Sequence, residues 1–208
     1  MKQGNVQRLM KLNISEIFYS LQGEGLRIGT PTIFIRLQGC KAKHACFKKG
    51  IACDTEFESG KEWDLEQIST WIESNANGCT EITWTGGEPT DQLTNEIIVW
   101  FKSKGFYQAI ETSGLNPTPD GLDFIAISPK VGEHIIKKNF NAVDELKYVR
   151  HSGQEIPQPS IKAEHYWLSP HSDGFEINSE NLNHCIELCR QNPRWKLSLQ
   201  SHKVWGIL

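Results

Sequence analysis

An α/β fold, an open partial (β/α) barrel around a mostly parallel sheet, follows from three features of the 208-residue sequence. Runs rich in β-branched and aromatic residues alternate with amphipathic helical segments. Glycine and polar groups cluster just after those runs, where ligands collect at the carboxyl ends of parallel strands. The chain is also shorter than the roughly 250 residues of a closed eight-unit barrel.

Residues 1–11 read as a polar extension, and residues 12–208 as a single domain. Strands are expected at Leu12–Tyr19, Thr32–Leu37, Glu81–Thr85, Tyr107–Glu111, Phe124–Ser128, Glu145–Val149 and His165–Leu168, with further β character at Trp195–Leu199. Asp64 followed by Gln67 has capping-box spacing, and Leu65, Ile68 and Ile72 then recur on one helical face. Leu93, Ile97, Trp100 and Phe101 repeat that pattern, with Gly105 placed to end the helix. A third helix begins near Ser179, where Leu182, Cys185, Ile186 and Cys189 share one face, so both cysteines read as core. Right-handed crossovers between such units bury both faces of a parallel sheet.

Composition narrows the function. With 25 acidic and 22 basic side chains the net charge is -3, so no basic excess recruits nucleic acid. The longest apolar run outside glycine-containing stretches, Ile97–Phe101, falls far below the ~20 residues that cross a bilayer, so no membrane association is expected. The first ten residues carry no apolar stretch of a secretory signal, and the expected compartment is the reducing cytoplasm. The six cysteines therefore call for another role than disulfides.

Three of them, Cys40, Cys46 and Cys53, follow the strand ending at Leu37. Clustered thiolates on a loop suit an iron–sulfur cluster or zinc. Lys41, Lys43, His44, Lys48 and Lys49 surround them, and positive charge favours the thiolate. Three sulfurs leave an open position, whereas a closed zinc site takes four ligands, for which His44 is a candidate. Unrelated buried cysteines are the plain alternative.

Polar groups at the other strand ends extend the rim. Thr85-Gly86-Gly87-Glu88-Pro89 brings backbone close to a ligand or forms an ordinary turn. Glu111-Thr112-Ser113-Gly114, Ser128-Pro129-Lys130, Glu145-Leu146-Lys147 and Ser169-Pro170-His171-Ser172 follow at later ends. Leu21-Gln22-Gly23-Glu24-Gly25 follows the first strand. Arg36, inside an apolar strand, needs an anion, either a substrate carboxylate or an internal ion-pair partner. His202, in Gln200–Lys203, reads as structural.

Taken in order, EIFYSLQGEG, FIRLQGC, CDT, TGGEP, ETSG, SPK, ELK and RWKLSLQSHK resemble the 7-carboxy-7-deazaguanine synthase family of radical S-adenosylmethionine enzymes, nearly the whole chain from Leu12 on. The resemblance implies the radical S-adenosylmethionine type of open barrel and a [4Fe-4S] cluster on Cys40, Cys46 and Cys53. It implies S-adenosylmethionine chelated at the open iron and cleaved to a 5'-deoxyadenosyl radical. That radical takes a hydrogen from 6-carboxy-5,6,7,8-tetrahydropterin, which contracts to 7-carboxy-7-deazaguanine with loss of ammonia, in queuosine and 7-deazapurine biosynthesis. Carried over by position, Thr55 meets Mg2+; Leu21, Gln22, Gly23, Arg36, Thr85 and Leu208 meet substrate. Gly87, Ser128, Pro129, Lys130, Ser169, Pro170, His171 and Ser172 meet S-adenosylmethionine. A homodimer is implied as well, and the lysines near the cysteines suggest docking of an acidic, flavodoxin-type electron donor.

The chain departs from the family pattern in three places. Five residues separate Cys40 from Cys46 and six separate Cys46 from Cys53, where the family spaces its cysteines CxxxCxxC or inserts before a final CxxC. Ser169–Ser172 replaces a Gln-Pro-Met run, and the sequence ends in leucine rather than proline. The rival functions are a small radical-generating activase acting on a protein glycine and a zinc-stabilised binding module.

Overall fold

A computed structural model describes residues 10–48, 56–172, 174 and 176–207. Among them are nine strands and six α-helices: β1 Lys11–Leu21, β2 Pro31–Leu37, α1 Lys43–Lys48, β3 Lys61–Asp64, α2 Leu65–Asn75, β4 Glu81–Gly86, α3 Asn95–Ser103, β5 Tyr107–Thr112, β6 Phe124–Ile127, α4 Glu133–Asn139, β7 Ala142–Arg150, β8 Lys162–Pro170, α5 Ser179–Gln191, β9 Trp195–Leu197 and α6 Ser201–Trp205. They fall into two compact units.

The first unit takes in the chain to Ser20, Pro31–Glu111 and Asn116–Phe124. Its strand order is β3-β1-β2-β4-β5. β2, β4 and β5 are parallel, with Ile35 opposite Trp84 and Trp84 opposite Ile110. β3 runs antiparallel to β1, with Lys11 opposite Asp64. The first strand thus begins inside the expected polar extension, and Lys11 joins Glu62 in an ion pair. Alternate side chains of a strand face opposite ways. One face sends Ile35, Trp84 and Ile110 into a core fully buried with Ile68, Ile98 and Phe101 of α2 and α3. Trp84 meets Phe101 edge-on at 5.2 Å, and its indole N–H donates to Gln108 at 3.1 Å.

The helices start and stop where the side chains dictate. Asp64 accepts from the Gln67 N–H at 2.8 Å while Gln67 accepts from the Asp64 N–H at 2.9 Å, the reciprocal box expected from the sequence. α3 begins two residues after Leu93, and the chain leaves it through Gly105 at φ +87°. That left-handed conformation is easy only for glycine.

The second unit takes in Leu21–Thr30, Thr112–Leu115 and Ile125 onward. Its strands run β6-β7-β8-β9, all parallel. Leu146, Leu168 and Ile127 are fully buried, and Tyr148 and Tyr166 both meet Trp195 edge-on. α5 starts where expected, its first turn capped by Asn178 accepting from the Asn181 N–H at 3.0 Å. Cys185 is fully buried and Cys189 half-buried on that helix. β8 is longer than its apolar stretch: Ser169 and Pro170 pair with Val149 and Arg150, so two residues expected in a loop belong to the strand. Proline is tolerated there because it ends the strand.

Candidate active site

In the first unit the carboxyl ends of β2 and β4 press together. The Gly87 N–H donates to the Leu37 carbonyl at 3.0 Å and the Glu88 N–H to the Gly39 carbonyl at 2.9 Å. A Cβ on Gly87 would stand 1.9 Å from that Gly39 oxygen, so no larger residue fits without moving backbone. Gly39 itself turns at φ +86°, which delivers Cys40 beyond the end of β2. The next residue is anchored from the side: Asp91 accepts from the Lys41 N–H at 2.9 Å and from the Asn116 amide at 3.1 Å. Glu88 is buried and accepts from the Thr90 hydroxyl at 2.6 Å and the Thr90 N–H at 3.2 Å.

Cys40 and Cys46 are half-buried thiols. Burial pushes the Cys40 thiol up to about 11, Glu88 and the neighbouring Cys46 sulfur add to this, and the N–H groups of Ala42 and Lys43 oppose it. Lys41 is 76% exposed beside Asp91, and Lys43 is engaged by Glu58. A metal held here must displace the thiol proton, so its binding releases protons. His44 is exposed. Cys53 and Thr55 lie outside the described residues, as does Leu208.

The other described cysteines are committed elsewhere. Cys79, before β4 at the opposite rim, lies 3.4 Å from the Pro31 carbonyl. No group of three or more potential metal ligands occurs among the described residues. Two soft sulfurs, one just before α1 and one within it, are nevertheless donors of the kind an iron–sulfur cluster takes.

Arg36 has an internal partner. Its Nε donates to Glu16 at 3.3 Å, and its guanidinium lies over Phe18, which stacks on Phe34 at 4.9 Å. The guanidinium side chain is 23% exposed, so a substrate anion can share it with Glu16. Thr85 stands opposite Arg36 in the sheet, nearly buried, and its hydroxyl donates to Glu111 at 3.1 Å.

In the second unit the glycine turn after β1 meets the ELK strand. Glu24 pairs with Lys147, and the two side chains are 15% and 16% exposed. Glu145 is buried, and one of its oxygens accepts from the Trp167 indole N–H at 2.8 Å. Leu21 is exposed and Gln22 buried. A Cβ on Gly23 would come 2.3 Å from Nδ1 of His202.

Burial alone would raise the Glu24 carboxyl, but the charge and hydrogen bond of Lys147, with help from His202 and Gln200, hold it below its ordinary 4.5. A carboxyl lowered on folding adds stability above its unfolded value, and that share is lost as the pH falls through the lower folded value. The urea midpoint should therefore drop on acidification from about pH 5, and Glu24→Gln should flatten the drop. Parallel pH profiles of the two proteins would contradict this.

The remaining rim residues also lie in the second unit. The Ser128 N–H donates to the Thr112 carbonyl at 2.8 Å, and the Lys130 ammonium lies 3.3 Å from the Ser128 hydroxyl, with Pro129 between them half-buried. Ser169 and Pro170 are buried at the end of β8. His171 stacks on His151 at 4.2 Å, its N–H donates to the Arg150 carbonyl, and Ser172 follows half-buried. Sequence reasoning missed Asp91, Glu16 and the partners of Glu145, whose pairings span many residues and leave no local pattern.

No family model matches the chain. The 7-carboxy-7-deazaguanine synthase of Bacteroides thetaiotaomicron is 36% identical over 199 residues, covering 95% of this chain and all of that protein. The 7-carboxy-7-deazaguanine synthase of Haemophilus influenzae is 37% identical over 209 residues, covering 94% of this chain and 93% of that one. The crystal structure of QueE from Escherichia coli aligns with a TM-score of 0.67 at 23% identity, covering 94% of this chain and 96% of that one. That likeness shows the fold: α/β with an open strand order, the open partial barrel expected from the sequence.

Proposed function

Because the chain belongs to the 7-carboxy-7-deazaguanine synthase family, we propose that it converts 6-carboxy-5,6,7,8-tetrahydropterin to 7-carboxy-7-deazaguanine with loss of ammonia. The observation that carries this reading is identity above one third over essentially the full length of a relative so named, 36% across all of the Bacteroides protein. A bound [4Fe-4S] cluster and S-adenosylmethionine would supply the radical that abstracts hydrogen from the pterin.

The protein's part is to bind, orient and exclude. Cys40, Cys46 and Cys53 hold the cluster, with Cys40 delivered by the Gly39 turn and its neighbour pinned by Asp91. Gly87, Ser128–Lys130 and Ser169–Ser172 receive S-adenosylmethionine. Leu21, Gln22 and Gly23 contact the pterin, Arg36 takes its carboxylate, and Thr85 and Leu208 complete its seat. Thr55 offers an oxygen to Mg2+, a hard cation that prefers such ligands.

Two partner assignments belong to the same proposal. Leu26, Ile28, Val204 and Trp205 are large exposed apolar residues of the second unit. They support a homodimer, which a monomer in sedimentation would contradict. Phe47, 84% exposed on α1, and the exposed Lys41 support docking of an acidic, flavodoxin-type donor. Its reduction rate should fall as salt rises, and indifference to salt would contradict the docking.

Reduced, cluster-loaded protein incubated with S-adenosylmethionine and the carboxytetrahydropterin should yield 5'-deoxyadenosine and 7-carboxy-7-deazaguanine by mass spectrometry. Formation of 5'-deoxyadenosine with no deazaguanine would refute the substrate assignment.

A further inference from the structure

Glu145 and Lys147 stand two residues apart on β7 and therefore share one face of the strand, while Leu146 and Tyr148 turn into the core on the other. We propose that Glu145 and Lys147 are positioning residues that hold the turn at Gln22–Gly25 in the geometry that receives the pterin. This rests on the proposed assignment of Leu21, Gln22 and Gly23 as substrate contacts.

The turn is gripped at consecutive residues. Glu145 Oε1 accepts from the Leu26 N–H at 2.5 Å and from the Trp167 indole N–H at 2.8 Å, so Trp167 fixes the direction in which the carboxylate meets the turn. Gly25 lies beneath that carboxylate at φ +67°, where an added Cβ would stand 2.5 Å from Oε2. Its N–H donates to the Ser198 hydroxyl at 3.0 Å. Glu24 is held by Lys147 and lies 3.4 Å from the Gln200 amide. Gly23 passes its carbonyl to the Ser201 N–H at 2.9 Å. Gln22, buried, accepts from the Glu24 N–H at 3.1 Å and so rides on the same support.

Charged groups buried at such a place are poor stabilisers compared with apolar packing. Their directional bonds, however, define one backbone arrangement. When the binding-competent arrangement is only a fraction of the population, apparent affinity falls by that fraction. A turn competent one-tenth of the time would bind substrate about tenfold more weakly, with little change once substrate is bound.

The test uses the full chain with its cluster and two readouts, amide exchange across residues 22–27 and steady-state kinetics. Lys147→Met and Glu145→Ala should lose protection at those amides and raise the pterin KM about tenfold. They should leave kcat and the KM for S-adenosylmethionine within about threefold. Glu145→Gln, whose amide oxygen can still accept both bonds, should stay within about threefold in every parameter. If Lys147→Met does not fold, the double variant Glu24→Gln/Lys147→Met carries the same test without a buried unpaired charge. Unchanged exchange at residues 22–27 would overturn the clamp itself. Lost protection with an unchanged pterin KM would show that the turn does not contact substrate, and would overturn the positioning role with it.

Discussion

Cys46→Ala protein, reconstituted anaerobically, is expected to hold no stable [4Fe-4S] cluster and to lose S-adenosylmethionine cleavage altogether. The spacing of this cysteine departs from the family pattern, so it is the assignment that most needs a test. It lies on α1, six residues after Cys40, whose thiol burial pushes up to about 11. Among the other described cysteines, Cys79 sits before β4 near the Pro31 carbonyl, and Cys185 and Cys189 lie on α5. A cluster held by three thiolates has no spare donor when one is removed. Cys189→Ala is the matched control and should retain both iron and cleavage. Full iron content in Cys46→Ala, with normal cleavage, would remove Cys46 from the ligand set.

Gly87→Ala should be nearly as damaging without touching a sulfur. Its methyl group would lie 1.9 Å from the Gly39 carbonyl oxygen and 3.0 Å from the Cys40 Cβ. The obstacle is backbone, so no rotamer change relieves it, and overpacking of this kind typically costs about 1–3 kcal/mol. The displacement falls on the segment that delivers Cys40, so cluster loading should collapse along with a lower thermal midpoint. Gly132→Ala makes the comparison informative. There the new methyl group's nearest neighbour would be the His134 ring at 2.8 Å, which can rotate aside, and near-normal loading is expected. Equal loading in both variants, measured as iron per chain, would show that the Gly87 approach does not seat Cys40.

Much of this was legible in the sequence, for physical reasons. The Asp64–Gln67 box and the Ile68–Ile72 stripe report a helix because capping and amphipathic spacing are local. The strand ends mark the rim because parallel β/α units place chemistry there. β3 left no signal: four residues, Lys-Glu-Trp-Asp, form a charged edge strand whose only reason to be extended is its pairing with β1. α4 was equally silent, since only Ile136 of its seven residues is buried. Ser169 and Pro170 read as loop because their polarity and ring oppose a central strand, while the neighbouring Arg150 end of β7 supplies the pairing that overrides this.

The site divides in the same way. Individual residues at the rim could be picked out, but their couplings could not. Arg36 was expected to need an anion, and its partner Glu16 lies 20 residues earlier in sequence. The bond from Lys41 to Asp91 spans 50 residues, and that from Leu26 to Glu145 spans 119. Such contacts follow from topology, which brings distant strand ends together. Local composition contains nothing of them. Burial is likewise invisible in local composition, and it pushes the Cys40 thiol up to about 11.

In the proposed assignment, sulfur from Cys40, Cys46 and Cys53 binds iron and leaves one metal position for S-adenosylmethionine. Metal and acid-labile sulfide analysis of anaerobically purified protein, read together with its visible spectrum before and after addition of S-adenosylmethionine, tests this most directly. The prediction is a brown protein with iron and sulfide matching one [4Fe-4S] cluster per chain, bleached by reduction and perturbed by S-adenosylmethionine. A colourless protein carrying stoichiometric zinc would contradict it.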